Sequence, residues 1–209
     1  MKLYTWGPAP NPRRVRIYLK EKGLEIPLEE AGDRAQLKAS FLAQAPQHRL
    51  VPLLELDDGT SIGEAMAICR YLEALHPAPP LLFGSEPRRA ALIDMWERKC
   101  EFFGIHAVAE VFRNVVPAFA DRSMGGYTVA LPQLPELVKR GAIRVAAFYD
   151  MLDAQLARNS FVAGDAFSVA DITALCAVDF AAQARMPVPD TCPNVRRWHA
   201  QVSDRPSTR

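Results

Sequence analysis

The chain has no run of about 18 apolar residues, the length a helix needs to cross a bilayer, so no membrane span is expected. Charge of one sign is missing too. There are 25 Lys and Arg against 24 Asp and Glu, a formal net charge of +1, and the basic residues are scattered rather than massed. That excludes the electrostatic footprint of a nucleic-acid binder. Cysteine is sparse: Cys69, Cys100, Cys176 and Cys192 stand far apart with no CxxC pair, which points to reduced thiols and a cytoplasmic location. His48, His76, His106 and His199 have no ligand spacing, so no metal is expected. The N-terminus enters strand and turn directly, without the apolar stretch of a secretory signal. Internal repeats and low-complexity tracts are also lacking.

What is present begins with residues 1–24. Residues 2–5 alternate as a strand, Gly7, Pro8, Ala9 and Pro10 break it, and a helix follows. Asn11 suits its N-cap, Pro12 its first helical position, and Gly23 the left-handed cap past its end. Val15, Tyr18 and Leu19 share one face for packing on a sheet. A strand feeding a helix N-terminus presents free backbone N–H groups and a positive dipole end, which suits an anion. An ordinary βα unit with a proline-rich bend explains the same pattern.

Further on, residues 25–28 read as a second strand whose Pro27 suits a sheet edge, and residues 33–44 as a weak helix. Residues 50–56 form a strand entered through Pro52. Asp58 and Gly59 mark a hairpin turn, residues 61–62 a short strand, and residues 64–75 a helix with Ala65, Ile68, Cys69, Leu72 and Leu75 on its apolar face. The order is βαβαββα. Residues 77–87 hold four prolines without periodicity and read as a linker. Beyond Arg88 no strand is convincing, and helices fit residues 88–120, 134–157, 169–184 and 193–203. The first contains a bend at Gly104 or ends before Pro117. The resulting division is an α/β domain over 1–80, a linker over 81–87 and an all-α domain over 88–209. Ser168 and Asp171 form a capping box, S-x-x-D, a structural signal.

Three stretches together resemble the soluble glutathione transferase superfamily. They are APNPRRVRIYLKEKGL at the start, Val51-Pro52 with the later LDDGTSIGEAMAICRYLE, and FSVADI with the closing PNVRRWHAQVSDRP. The first is similar to the N-terminal pattern of many bacterial members. The resemblance covers nearly the whole chain. It implies a thioredoxin-like first domain that binds glutathione as co-substrate, and a helical second domain that shapes the site for a small apolar electrophile. It also implies a homodimer.

The same resemblance assigns residues. Val51-Pro52 matches the family's cis-proline, whose neighbouring main-chain groups pair with the cysteinyl part of glutathione. Glu64, or the N–H groups near it, matches the holder of the γ-glutamyl end, though a first-turn acid also simply complements the dipole. The Ser or Thr usual after it is Ala65, which leaves only a backbone N–H. His48 and Arg49 lie in the loop where relatives place a cation for the glycyl carboxylate, though the loop is about one residue longer than the family's spacing and simple solvation explains either residue as well. For the second substrate the candidates are Trp6 and, on the first helical segment, Trp96, Phe103, His106, Phe112 and Arg113, with Met124 and Tyr127 at a rim; a helix of that length also needs a core, which claims most of the helical candidates.

The most informative departure is Ala9. It occupies the position at which relatives carry a Ser or Cys, and alanine donates no hydrogen bond. Glutathione chemistry needs a thiolate, and lowering a thiol pKa by about two units takes roughly 2.7 kcal/mol. The helix dipole supplies about 0.3–1 kcal/mol and a hydrogen bond to charged sulfur roughly 1.5–3 kcal/mol. Asn11, two residues on, offers an amide donor at a position where some bacterial classes keep an Asn near the sulfur. As a cap it would use its oxygen and leave its NH₂ for sulfur. Arg13 and Arg14 in the same turn are either solvated or favour the anion. The expected activity is therefore conjugation of the glutathione thiolate to a small apolar electrophile. Glutathione-dependent disulfide or peroxide reduction, and a non-catalytic binding role, are the alternatives.

Overall fold

The computed structural model describes residues 1–32, 39–44, 49–127 and 129–209. The first half runs β1 (Lys2–Thr5), α1 (Pro10–Lys22), β2 (Leu28–Glu30), α2 (Ala39–Gln44), β3 (Leu53–Glu55), β4 (Ser61–Gly63) and α3 (Ala65–Leu75). The strands form one sheet in the order β2-β1-β3-β4, with β1 parallel to β2 and the other pairs antiparallel. Leu3 pairs with Leu54 on one side, both buried at the sheet's centre, and on the other with Leu28, exposed on the edge strand. The βαβαββα order read from the sequence is what forms.

Two strands start later than the sequence pattern implies. The second spans residues 28–30 rather than 25–28. Pro27 has no N–H to give, so only its carbonyl joins the ladder, accepting from Leu3 N at 2.9 Å. The third begins at Leu53 instead of residue 50, because Pro52 likewise cannot donate. Between β3 and β4 the turn is as expected. Gly59 takes φ +85°, and the Asp58 carboxylate accepts from Thr60 N at 2.9 Å. Of the expected helix over 33–44, residues 39–44 are helical and residues 33–38 lie outside the described residues.

From Pro87 onward the described residues form helices and turns without a paired strand: α4 (Pro87–Lys99), α5 (His106–Val115), α6 (Pro135–Leu156), α7 (Val169–Gln183) and α8 (Pro193–Ser203). The long helix expected over 88–120 is interrupted twice. A π-helical turn spans Cys100–Ile105, and Pro117 starts a short 3₁₀ turn after Val116. Gly104 sits in the π turn for a packing reason. A Cβ there would meet Ala177 Cβ and Phe148 Cζ at 2.9 Å, so three helices converge at a point only glycine allows.

Helix α7 is apolar on nearly every side and forms the axis of the helical half, with Phe148, Leu152 and Trp198 of the neighbouring helices also buried. Its N-terminus is held by the expected capping box and more. The Asp171 carboxylate accepts from Ser168 N at 3.0 Å, Val162 N at 2.9 Å and Trp198 Nε1 at 2.9 Å. Burial pushes this carboxyl up to about 6, so at neutral pH it is ionised and able to accept all three. The two halves meet where α1 packs between α3 and α7.

Candidate functional site

The opening bend is fixed from behind by Arg16, which donates to Thr5 Oγ1 at 2.6 Å and Gly7 O at 2.8 Å. Past the bend, α1 begins two residues earlier than the sequence implies. Ala9 is its N-cap residue, Pro10 its first helical residue and Asn11 its second. The expectation of Asn11 as N-cap is thus corrected. Pro10 already carries the φ that a first helical position needs, so the helix starts there rather than at Pro12. Gly23 closes the helix in the left-handed conformation as expected, with φ +63°.

The same correction thins out the anion-binding end. Pro10 and Pro12 contribute no N–H, and Arg13 N is turned to Ala9 O at 3.3 Å. Asn11 therefore provides the donors that this end retains, one from its backbone and two from its side chain. Its Oδ1 accepts from Arg14 Nη1 at 3.1 Å, while its Nδ2 has no partner among the described residues. No side chain caps the helix.

A cleft opens beside this helix end, lined by Asn11, Leu50, Val51, Pro52, Gly63 and Glu64. The Val51–Pro52 bond is cis, as the resemblance implied. Across from Asn11, Glu64 precedes α3 with φ +63°, its side chain exposed and making no cap bond. Positive φ in a non-glycine residue is costly and clusters at binding sites. Ala65 is buried at the first position of α3 and offers only its backbone N–H. Two uncapped helix N-termini and a proline corner thus face one cleft. Leu50 and Gly63 complete the lining and were not singled out in the sequence. Leu50 looks there like a strand residue, and Gly63 like a mere helix breaker.

The other sequence candidates are placed variously. Arg49 is exposed just before Leu50, with φ +45°. His48 lies outside the described residues. Trp6 is half-buried in the bend and accepts from Ala9 N through its carbonyl at 3.1 Å. Phe103 and His106 are exposed and gather around Phe102, at 5.2 Å between the phenylalanine rings and 6.2 Å from Phe102 to the imidazole. Neither lines the cleft.

Arg113 does not line the cleft either, but it packs behind a loop that meets Leu50. It donates to Ser123 O at 3.1 Å and Arg122 O at 2.7 Å, and so holds the loop after α5. A Cβ on Gly125 in that loop would lie 2.9 Å from Leu50 Cδ2 and 3.8 Å from Arg113 Cζ. Met124 and Tyr127 in the same loop are exposed. Burial and neighbouring Arg122 pull the Arg113 guanidinium below its ordinary pKa.

Arg13 and Arg14 are neither solvated nor free for an anion. Arg13 pairs with Asp179, which also meets His199 Nε2 at 2.6 Å. Arg14 is wholly buried and paired with Glu97 and Glu101. All four cysteines are buried and free, and burial pushes the thiols of Cys69, Cys100 and Cys176 up. A larger open groove of about 520 Å³ lies between the second half of α1 and residues 24–28, away from the proline corner and both helix N-termini. Among the described residues no cluster of His, Cys, Asp or Glu has a metal-binding arrangement, and no helix is long and apolar enough to cross a membrane.

A βαβαββα half with a cis-proline opposite the first helix, followed by a helical half around a capped central helix, defines a thioredoxin-like domain joined to an all-α domain. Comparison with known proteins gives that class its family. Residues 3–80 match the glutathione S-transferase N-terminal domain and residues 115–206 the glutathione S-transferase C-terminal domain. The chain belongs to the glutathione S-transferase family. It is similar to glutathione S-transferase 2 of Saccharomyces cerevisiae, 33% identical over 213 residues, covering all of this chain and 88% of that protein. Among solved structures, a glutathione S-transferase domain-containing protein of Marinobacter aquaeolei VT8 superposes with a TM-score of 0.89 at 33% identity, covering both chains fully. Gtt2 from Saccharomyces cerevisiae superposes at 0.86 and 33% identity, covering 100% of this chain and 98% of that one.

Proposed function

We propose that this protein is a glutathione transferase that works without a hydroxyl or thiol in the first bend. Glutathione lies in the cleft with its cysteinyl main chain against Val51 and Pro52. Its γ-glutamyl end meets Glu64 and the first N–H groups of α3, and its glycyl end points toward Arg49 and His48. Its sulfur rests at the start of α1. The carrying observation is Asn11, whose Oδ1 is engaged by Arg14 and whose Nδ2 is the one side-chain N–H donor in the cleft lining among the described residues. Ala9 contributes no donor.

A donor to a charged sulfur is worth roughly 1.5–3 kcal/mol, and an uncapped helix end adds about 0.3–1 kcal/mol. Together these match the roughly 2.7 kcal/mol that ionising a thiol at neutral pH requires. The thiolate then attacks an electrophilic carbon. The sulfur–carbon bond forms as the bond to the leaving group breaks, and that group departs with the electron pair. The second substrate is a small apolar molecule held between Trp6, Arg113 and the loop carrying Met124 and Tyr127, with Phe103 and His106 farther out.

Reduction of disulfides or peroxides fits less well as a main activity, since no protein thiol faces the cleft. The protein acts as a homodimer in the cytoplasm, a reading supported by exposed Leu92, Met95, Phe102 and Phe103 on one continuous helical stretch. Detoxification is its role in this reading. The test is calorimetry with glutathione, followed by turnover of an aromatic halide and of a disulfide in parallel. Binding together with preferential halide turnover supports the proposal. Absence of binding at millimolar glutathione overturns it.

A further inference from the structure

Arg14 is the largest charged side chain inside the protein, fully excluded from solvent, and the transferase reading leaves it without a role. Every nitrogen of its fork is bonded. Nε donates to Thr173 Oγ1 at 3.0 Å, and one terminal nitrogen pairs with the Glu97 carboxylate. The other donates both to Glu101 Oε1 at 3.0 Å and to Asn11 Oδ1 at 3.1 Å. Thr173 in turn donates to Glu97 at 3.2 Å. Three of the four acceptors belong to the helical half, in α4, the π turn and α7. The fourth is the amide at the cleft.

That last bond settles which way the amide points. A guanidinium carries five donors and no acceptor, so only the oxygen of Asn11 can face it. The nitrogen must then face the other way, toward the cleft that Asn11 lines. A rigid, planar fork holds such a geometry better than a flexible ammonium.

We propose that Arg14 is a positioning residue for the reaction: anchored by Glu97, Glu101 and Thr173, it locks Asn11 with its amide nitrogen presented to the glutathione sulfur. This rests on the assignment of Asn11 as the thiolate's donor. The remaining groups around Arg14 do not compete for the role. Arg13 is turned to Asp179, Arg98 pairs with the far oxygen of Glu101, and burial keeps the Cys69 and Cys176 thiols protonated. The anchors lie 83 or more positions from Arg14 in sequence, so the helical half sets the donor of the first half's site.

The test is an ultraviolet titration of the bound glutathione thiol in four proteins: wild type, Asn11→Ala, Arg14→Lys, and the two changes combined. Lysine keeps a charge for Glu97 but cannot hold all four acceptors. Loss of the amide in Asn11→Ala raises the ionisation midpoint by about 1 pH unit. Arg14→Lys alone raises it by at least half as much, and adds nothing once the Asn11 amide is gone. An equal rise from Arg14→Lys with and without Asn11 overturns positioning in favour of a general electrostatic effect, as does no rise at all. If Asn11→Ala itself leaves the midpoint unmoved, the Asn11 assignment fails, and the positioning role falls with it. A wild-type measurement covers the case in which Arg14→Lys does not fold. In ¹⁵N spectra of the Asn11 side chain, one amide proton moves with the thiol titration and its partner does not. Two unmoved protons contradict the proposal.

Discussion

Two helix N-termini in this molecule are built in opposite ways. At α7 the Asp171 carboxylate accepts from Ser168 N, Val162 N and Trp198 Nε1, and the residue is entirely buried. At α1 no side chain caps the helix, two prolines remove donors, and Asn11, its Oδ1 bonded to Arg14, lines a cleft. A helix end whose donors are satisfied internally adds stability and can bind nothing. One whose donor is held outward gives up a cap, worth about 0.5–2 kcal/mol, and gains a place for an anion. The start of α3 follows the second pattern, with Glu64 uncapped at positive φ. Both open ends face the same cleft.

Substitutions at the two kinds of end should separate stability from activity. Asp171→Ala leaves several buried donors without an acceptor, so it should destabilise the fold by about 3 kcal/mol or more. For a chain of this size that lowers Tm by roughly 6–12 °C, readable by calorimetry. A loss below about 1 kcal/mol would erase the contrast. Asn11→Ala should do the reverse, costing only about 1 kcal/mol of stability for the Arg14 N–H left without its acceptor while turnover falls about tenfold or more. Unchanged turnover would take Asn11 out of the mechanism.

Glu64→Gly suits the backbone, since glycine accepts φ +63° freely, so stability should hold within about 0.5 kcal/mol. The KM for glutathione should still rise about fivefold through loss of the carboxylate. An unchanged KM would reduce Glu64 to a geometric hinge.

The smallest expected effect lies at the other end of α1. Burial disfavours the charged form of Glu21, but Arg205 and Ser207 bond it at 2.7 Å or less and hold its pKa below the ordinary value. A depressed acid stabilises the fold above its unfolded pKa of about 4.3. That contribution is lost as pH falls through the folded value. Glu21→Gln should therefore flatten stability against pH on the acid side only, by at most about 1 kcal/mol given the partial exposure of Arg205. A change confined to neutral pH would contradict it.

Local chemistry made much of this legible in the sequence. Gly23, the Asp58–Gly59 turn and the capping box each announce themselves within a few residues and form where expected, the strand order forms with two strands starting later, and the cis Val51–Pro52 corner came from the family resemblance. The start of α1 differs from the expectation because Pro10 and Pro12 both suit a first helical position, Asn11 is the better cap residue, and only the three-dimensional bend chooses between them. Leu50 was invisible as a cleft residue because the loop that meets it, around Gly125, lies 75 positions away. Arg14 looked like a solvated first-turn cation. Its partners Glu97, Glu101 and Thr173 come from elements that no periodicity connects to it.

The central claim is that glutathione sulfur rests against the amide of Asn11 at the open end of α1. A crystal structure with glutathione bound tests it most directly. The account predicts sulfur within about 3.5 Å of Asn11 Nδ2, with Oδ1 still on Arg14 and the cysteinyl main chain beside Val51. A sulfur turned toward solvent, or an Asn11 amide rotated away to cap its own helix, would contradict it.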